Sequence, residues 1–590
     1  MATDDKQTGP GRPPGFLAEL QLGRLRWDLI HPFPQQDEAD RSRGDQVVAE
    51  LTAFLQEFVD PTEVDVTGRL PEGYHRELEG RGYFRLQDPV GQGGLGLSAQ
   101  NAFRVVQAAA SWSVPACYAM AVHLGLGAGA YLTLLGEEDG LGAELRGLLA
   151  EGLISGDADT EPTGAINRSR STVAVPTEDG TGYLISGEKI FIQNGPIAGL
   201  LRVSATVRED GKEYIGLFFV DTRAPGFRVK SWHEYLGLKG LPNAALTFDR
   251  VFVPRERIFS PKSWTSEEEW RISPELNAVS AYGRMFPISA PATAIAKLCL
   301  HWSREFVQRR TAHGRGLDQY DEIQRTVATT AAEVFAIESV TDWCLLAADR
   351  HPGIDLVPER TAAKNITSTT CWQIVDRTVS LLAGEGFETA RSKARRGAEP
   401  LPVERFFRDA RALRIAGGVD FMVDHYIARG ALLAHYAADA DAATTAAAPD
   451  DARLTGRNRA HLSALAEESS RFAGFCRELT SRHDNPEELF EQERTLILLG
   501  RVSSDLFSMA AVLARASRLT AQGTDSVQEL ADVFCTQARQ RIADAWGRLA
   551  APAQPDHAGA CAAWLHGDGL DFLINDVVTA TPPATFEGNC

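Results

Sequence analysis

The sequence predicts an α+β protein in which a β domain sits between two helical domains, followed by a further helical region. Two observations predict it. Apolar residues keep a helical period to about residue 155, switch to short β-type runs rich in Val, Ile, Phe and Thr over residues 156–265, then return to a helical period. The length, 590 residues, is also far beyond what one hydrophobic core fills, so several domains are required.

Taken in order, residues 1–45 open with MATDDKQTGPGRPPG, polar and rich in Pro and Gly, with no basic stretch leading into an apolar one. They are predicted to be a disordered tail and not a secretory signal. Residues 46–155 form the first helical domain, with VVAELTAFLQEFV and the small-residue run ACYAMAVHLGLGAGAYLTLLG broken by VGQGGLGLS. Residues 156–265 form the β domain: STVAVPT, YLISG and EKIFI around Gly187, RVSATV, YIGLFFV, and ALTFDRVFV closed by Pro254. Residues 266–435 carry long helical runs such as RTVATTAAEVFAIESVTDWCLLAA and AAKNITSTTCWQIVDRTVSLLAG. The Ala/Asp-rich stretch 436–456 reads as a linker. Residues 457–590 read as a helical extension, and its run LADVFCTQARQRIADAWGRLA shows an apolar stripe expected to pack on the main body.

Composition narrows the function. Hydrophobic residues at 44% and charged ones at 24% are ordinary for a globular protein, and no run of about 18 apolar residues predicts a membrane span. A cytoplasmic protein without membrane attachment is expected. A net charge of −19 opposes a general grip on a phosphate backbone, so no nucleic-acid partner is expected. The eight cysteines (Cys117, Cys299, Cys344, Cys371, Cys476, Cys535, Cys561 and Cys590) form no C-x-x-C pair and are predicted to be buried apolar fillers, with no metal site.

Several stretches, in one consistent order between about residues 50 and 430, resemble the acyl-CoA dehydrogenase superfamily of FAD enzymes. They are LEGRGYFRLQDPVGQGGLGLS, then DTEPTGAIN with its T-E-P motif, GEKIFIQNG, LGLKGLPNAALTFDRVFVP, RRTAHGRGLDQYDEIQ, LLAGEGFE, and VERFFRDARALRIAGG. The resemblance implies an N-terminal helical domain, a middle β-barrel-like domain and a C-terminal helical bundle, with FAD as cofactor. It implies that Asp159, Thr160 and Ile166 line the flavin, that Phe191 covers one face of its ring and that Gln193 lies beside N5. It implies that Arg310 reaches the FAD pyrophosphate of a neighbouring subunit, hence a homodimer or homotetramer, and that His313, Ser380 and Gly384 also belong to the cofactor site. The substrate it implies is an acyl-CoA or an acyl carrier protein, near Tyr282, Arg284 and Gly417.

The sequence departs from that family at the chemistry. Members remove an α-proton with a Glu placed after R-D-A-K or on the first bundle helix; here those positions read Gly417 and Gly283 or Arg284. The catalytic residue is therefore unassigned. Around the flavin the family's Gly-Ser after T-E-P becomes Ala165-Ile166, its Thr becomes Gln193, its Trp becomes Phe191, and its Q-x-x-G-G becomes Ser380 to Gly384. The N–H of Gly417 remains available to polarise a thioester oxygen. An inserted ARSKARRGAEPLP reads as a solvated loop, with a phosphate clamp as its functional alternative. Three functions stay open: an acyl-thioester oxidoreductase with a relocated or absent base, an oxygen-using flavin oxidase or monooxygenase on the same fold, and a catalytically weak partner subunit.

Overall fold

The computed structural model describes residues 12–578 apart from 133, 136–138, 166–168, 210–211, 260–273, 438–448, 552–554 and 568. The first helical domain is built on Glu38–Phe58, capped by Asp37 accepting from the N–H groups of Ala39 and Asp40, and on Ala99–Trp112, capped by Ser98. The Val114–Gly125 helix is buried along nearly its whole length, as its small apolar residues require.

Residues 16–45 are not a tail. Phe16–Gln21 is a helix whose Phe16, Leu17 and Leu20 are buried, with the Phe16 ring 6.4 Å from both Trp343 and Phe507. Leu17 N–H donates to buried Glu359 Oε1 at 2.6 Å. Helically spaced apolar residues 16, 17 and 20 outweigh the Pro and Gly before them, because burying each contributes about 1.5–3 kcal/mol. The segment straps the bundle to the C-terminal extension.

The β domain is one eight-stranded sheet: β1 (Ser155–Ala158), β2 (Val173–Pro176), β3 (Gly182–Gln193), β4 (Leu200–Glu209), β5 (Lys212–Asp221), β6 (Phe227–Trp232), β7 (Asn243–Pro254) and β8 (Ile258–Phe259). The order is β6-β7-β3-β2-β4-β5-β8, with β1 parallel to β4. YLISG and EKIFI form one strand, β3, bent by register shifts against β7 at Ile185/Gly187 and Lys189/Ile192. Such bulges re-aim side chains, and the second one turns Phe191 outward.

The bundle contains Pro274–Gly283, a π-helical turn Met285–Ser289, Ala290–Arg309, Asp321–Arg350, Val357–Leu382, Val403–Leu413 and Asp420–Ala437. Glu493–Ala521 and Val527–Leu549 of the extension lie on Asp321–Arg350, and Glu493–Ala521 also lies on Asp420–Ala437. Among the described helices Glu493–Ala521 alone is long and apolar enough to cross a membrane, but 83% of its most apolar window is buried, so its apolarity serves the core. Of the expected linker, residues 438–448 lie outside the described set, and the rest is anchored: Leu454 is buried, and Asp451 accepts from Ser517 Oγ at 2.6 Å. Six cysteines are buried as expected; Cys561 is exposed, because the His557–Leu565 helix buries none of its residues, and Cys590 lies outside the described set.

Candidate active site

Phe191 is held out of the sheet. Its backbone is left-handed, at φ +60°, a conformation costing roughly 1–2 kcal/mol for a residue with a Cβ, and the residue is 54% exposed. Both peptide groups are fixed: Phe191 N–H donates to His233 Nε2 at 3.1 Å, and Asn243 Nδ2 donates to Phe191 O at 3.0 Å. The His233 ring lies 4.9 Å from that of Phe191, and burial holds its pKa below the usual histidine value, keeping Nε2 an acceptor. Gln193 ends the strand opposite Asn243. Asn194 then docks the strand on the first helical domain, donating from Nδ2 to Ala119 O (2.9 Å) and Ser155 O (3.0 Å).

Thr160 stands beside this strand, its carbonyl accepting from Ile190 N–H at 2.9 Å. The next residue, Glu161, is the anchor. It forms a wholly buried ion pair with Lys189 at 2.9 Å and accepts from the N–H groups of Ser171 (2.6 Å) and Thr172 (2.8 Å). Asp159 is committed to Arg170 at 3.2 Å and Arg202 at 3.4 Å. Ile166 lies outside the described residues.

The two positions that the resemblance points to meet in the structure. Arg284 Nε donates to Gly417 O at 2.8 Å across 133 residues of sequence. Gly417 and Gly418 both have positive φ, +69° and +106°, and a Cβ on Gly417 would sit 3.4 Å from Arg284 Cγ. Gly283 faces the other way: a Cβ there would come within 1.9 Å of Gly125 O, so two glycines let the helices cross and no side chain fits. Of the two residues sequence left open, Arg284 is thus the one that contacts Gly417, and Gly283 is the one packed on Gly125. Behind it Lys364, 0% exposed, donates to Gly418 O at 2.6 Å. Asp420 pairs with Arg414, and Asp424 accepts from Asn365 Nδ2 (2.7 Å) and Arg501 Nε (3.0 Å). Tyr282 donates to Gln87 Oε1 at 3.0 Å, with the Arg360 guanidinium 4.9 Å from its ring.

Sequence reasoning missed a clasp in the R-D-A-R stretch. Arg408 Nη2 grips both oxygens of Asp65 in the first helical domain at 2.9 and 2.8 Å, while Asp409 Oδ1 accepts from Leu238 N–H of the β domain at 2.5 Å. Neighbouring residues on one helix thereby hold two different domains. The signal was the pairing of opposite charges inside an otherwise amphipathic helix.

Arg310 and His313 are exposed, His313 at φ +47°. Arg310 lines a cavity of about 630 Å³ with Phe306, Leu381, Ala383, Gly384 and Arg396. Ser380 is turned back on its own helix, donating to Asp376 O at 3.1 Å. The inserted loop is pinned, not free: buried Lys393 donates to Glu385 O at 2.8 Å, and Arg396 pairs with Glu388.

The chain matches three domain models described as acyl-CoA dehydrogenase N-terminal domain (residues 43–148), middle domain (158–251) and C-terminal domain (281–432), which together span more than half of it. The chain belongs to the acyl-CoA dehydrogenase family. Residues 459–561 also match the ACAD9/ACADV C-terminal domain. Similar proteins include the probable acyl-CoA dehydrogenase FadE10 of Mycobacterium tuberculosis, 29% identical over 98% of this chain and 90% of the relative, and the mitochondrial very long-chain specific acyl-CoA dehydrogenase of Bos taurus, 25% identical over 89% and 83%. Among solved structures, an acyl-CoA dehydrogenase complexed with FAD from Bacillus anthracis superposes with a TM-score of 0.72 at 18% identity, covering 93% of this chain and 94% of that one. In this acyl-CoA dehydrogenase, then, T-E-P and R-D-A-R are structural fasteners: Glu161 locks β-domain strands, and Arg408 with Asp409 locks domains.

Proposed function

We propose that the chain is an FAD-dependent oxidoreductase acting on an acyl thioester, carried by CoA or a carrier protein, with no carboxylate base at either family position. Phe191 carries the reading. An aromatic ring kept half exposed at a backbone cost, with its peptide tied on both sides, fits a planar ring laid against it. Thr160 and Gln193 flank that face, with Asp159 behind them. FAD, when bound, supplies a two-electron acceptor. Arg310, His313, Ser380 and Gly384 would serve the phosphate half of a dinucleotide held by a second copy, where a guanidinium suits phosphate.

The chain's own residues polarise and position. Gly417 N–H, without a partner among the described residues, is free to donate to a thioester oxygen. Arg284 stays protonated and cannot accept a proton. Lys364 is wholly buried and cannot touch substrate, so it fixes the glycine pair from behind. A cation at the base position also favours the second reading, an oxygen-using flavin oxidase whose reaction needs no enzyme carboxylate.

The test is the visible spectrum of the purified protein with released flavin quantified against protein, followed by acyl-CoA addition without oxygen. Stoichiometric FAD bleached anaerobically supports the first reading. FAD reduced only in reactions that consume oxygen supports the second. A colourless protein that takes up no FAD overturns both.

A further inference from the structure

The proton on His233 is fixed by its neighbour. A backbone N–H can only donate, so the bond from Phe191 N–H to His233 Nε2 at 3.1 Å leaves Nε2 a bare acceptor and puts the ring's one proton on Nδ1. The residue is anchored in that pose. Its own N–H donates to Asn243 O at 2.9 Å, and its ring lies 4.9 Å from that of Phe191 and 6.1 Å from that of Tyr235.

The other groups around it keep their charge near neutrality. Asn243 Nδ2 donates to Phe191 O at 3.0 Å while its Oδ1 accepts from Tyr235 OH at 2.8 Å. Burial pushes that phenol up to about 12, so it keeps its proton. On the strand that leads to His233, Lys230 is committed to Glu188 at 2.9 Å, and Glu234, next in the chain, is exposed. Lys189, on the strand that carries Phe191, is wholly buried in its pair with Glu161, and Arg408, which reaches Leu236 O, is committed to Asp65. Burial holds the His233 pKa below 6.5, so the neutral ring prevails at neutral pH.

A second proton on His233 would turn Nε2 from acceptor into donor and set two donors face to face. Phe191 sits at φ +60° against its own backbone strain, so losing one of its two fastenings frees the ring to leave that pose. We infer that His233 is a positioning residue for the flavin, presenting the Phe191 ring to it only while the imidazole is neutral. This rests on the flavin reading above. The sign follows from the depressed pKa: the grip is complete above 6.5 and is lost as pH falls through the lowered value.

The test measures FAD affinity of the full chain by fluorescence titration between about pH 8 and about pH 5, a span that brackets the ordinary histidine value and over which FAD keeps its charge. Wild-type affinity is expected to fall about 5- to 10-fold across it, the loss of one hydrogen bond and part of a stacking contact. His233→Gln, whose Oε1 accepts at every pH, is expected to bind within about 2-fold at both ends. Phe191→Ala, lacking the ring that is positioned, should lose most of the pH dependence as well. A flat wild-type profile, or one that persists undiminished in either variant, overturns the inference and leaves the flavin reading standing. Absence of FAD binding even at about pH 8 overturns the flavin reading and the inference with it.

A second readout needs no flavin. Exchange of the Phe191 amide with D2O is measured residue by residue against that of Ile190, whose N–H donates to Thr160 O at 2.9 Å, a bond that does not titrate. The Phe191 amide is expected to quicken relative to Ile190 as pH falls below 6.5. A constant ratio between the two amides overturns the inference even if His233→Gln does not fold.

Discussion

Arg284 Nε donates to the carbonyl of Gly417 at 2.8 Å, bringing together the two places where the resemblance implies a general base and the proposed function has none. The same contact explains why restoring a base takes more than one substitution.

Gly417→Glu alone is expected to restore little α-proton exchange. The left-handed backbone costs roughly 1–2 kcal/mol with a side chain present. The new carboxylate would also lie against Arg284, whose charge lowers its pKa and basicity. Gly417→Glu with Arg284→Gln is expected to raise exchange by about 10²-fold or more over the single variant. Proton NMR of an acyl-CoA in D2O reads it, and equal exchange in both variants would remove Arg284 from the argument.

Phe191→Ala is expected to weaken flavin retention about tenfold, since aromatic stacking contributes about 0.5–1.5 kcal/mol beyond area burial. Phe191→Trp should retain it. Flavin-to-protein ratios after dialysis check both; unchanged retention in Phe191→Ala would place the ring elsewhere.

Burial pushes Asp409 from 3.8 up to about 6. Its folded pKa is raised, so its contribution to stability is full below pH 3.8 and is lost as pH rises through about 6. Asp409→Asn keeps an acceptor for Leu238 N–H and does not ionise. Its melting temperature relative to wild type should therefore climb between about pH 3.5 and about pH 7.5, values chosen to bracket that window of about 4 to 6. A constant difference would show that Asp409 does not titrate there. Asp409→Ala, leaving a buried N–H unsatisfied, should cost about 1–3 kcal/mol by denaturant melts.

Gly283→Ala is expected to destabilise severely, at or above the ~1–3 kcal/mol usual for overpacking, because the obstructing atom is backbone Gly125 O at 1.9 Å and has no rotamer to escape into. Thermal melts check it. A melting temperature within a degree or so of wild type would mean the helices can part.

Periodicity made the layers legible. The runs from STVAVPT to ALTFDRVFV became strands, and β4 is buried along most of its length although Arg202, Ser204 and Thr206 alternate with its apolar residues, each of them hydrogen-bonded or ion-paired. Motif position singled out Phe191 and Gly417, and the structure adds the exposed, left-handed setting of the one and the Arg284 contact of the other. Arg284 was ambiguous by one residue, since only a three-dimensional crossing with Gly125 shows which neighbour faces the site. Lys364 was invisible: a lysine in AAKNITSTT reads as solvated until the Gly418 carbonyl comes within reach of its ammonium. The strap at Phe16 was misread because its apolar positions are too few to outweigh a polar, Pro-rich beginning by pattern alone.

The helix Val403–Leu413 grips two other domains with consecutive side chains, and Gly417 follows its end by four residues. Arg408 and Asp409 make it a lever. A displacement of the first helical domain against the β domain becomes a torque on this helix, and the hand of that lever is the Gly417 N–H. On the proposed reading, the donor offered to a thioester would thus be coupled mechanically to how the three domains close.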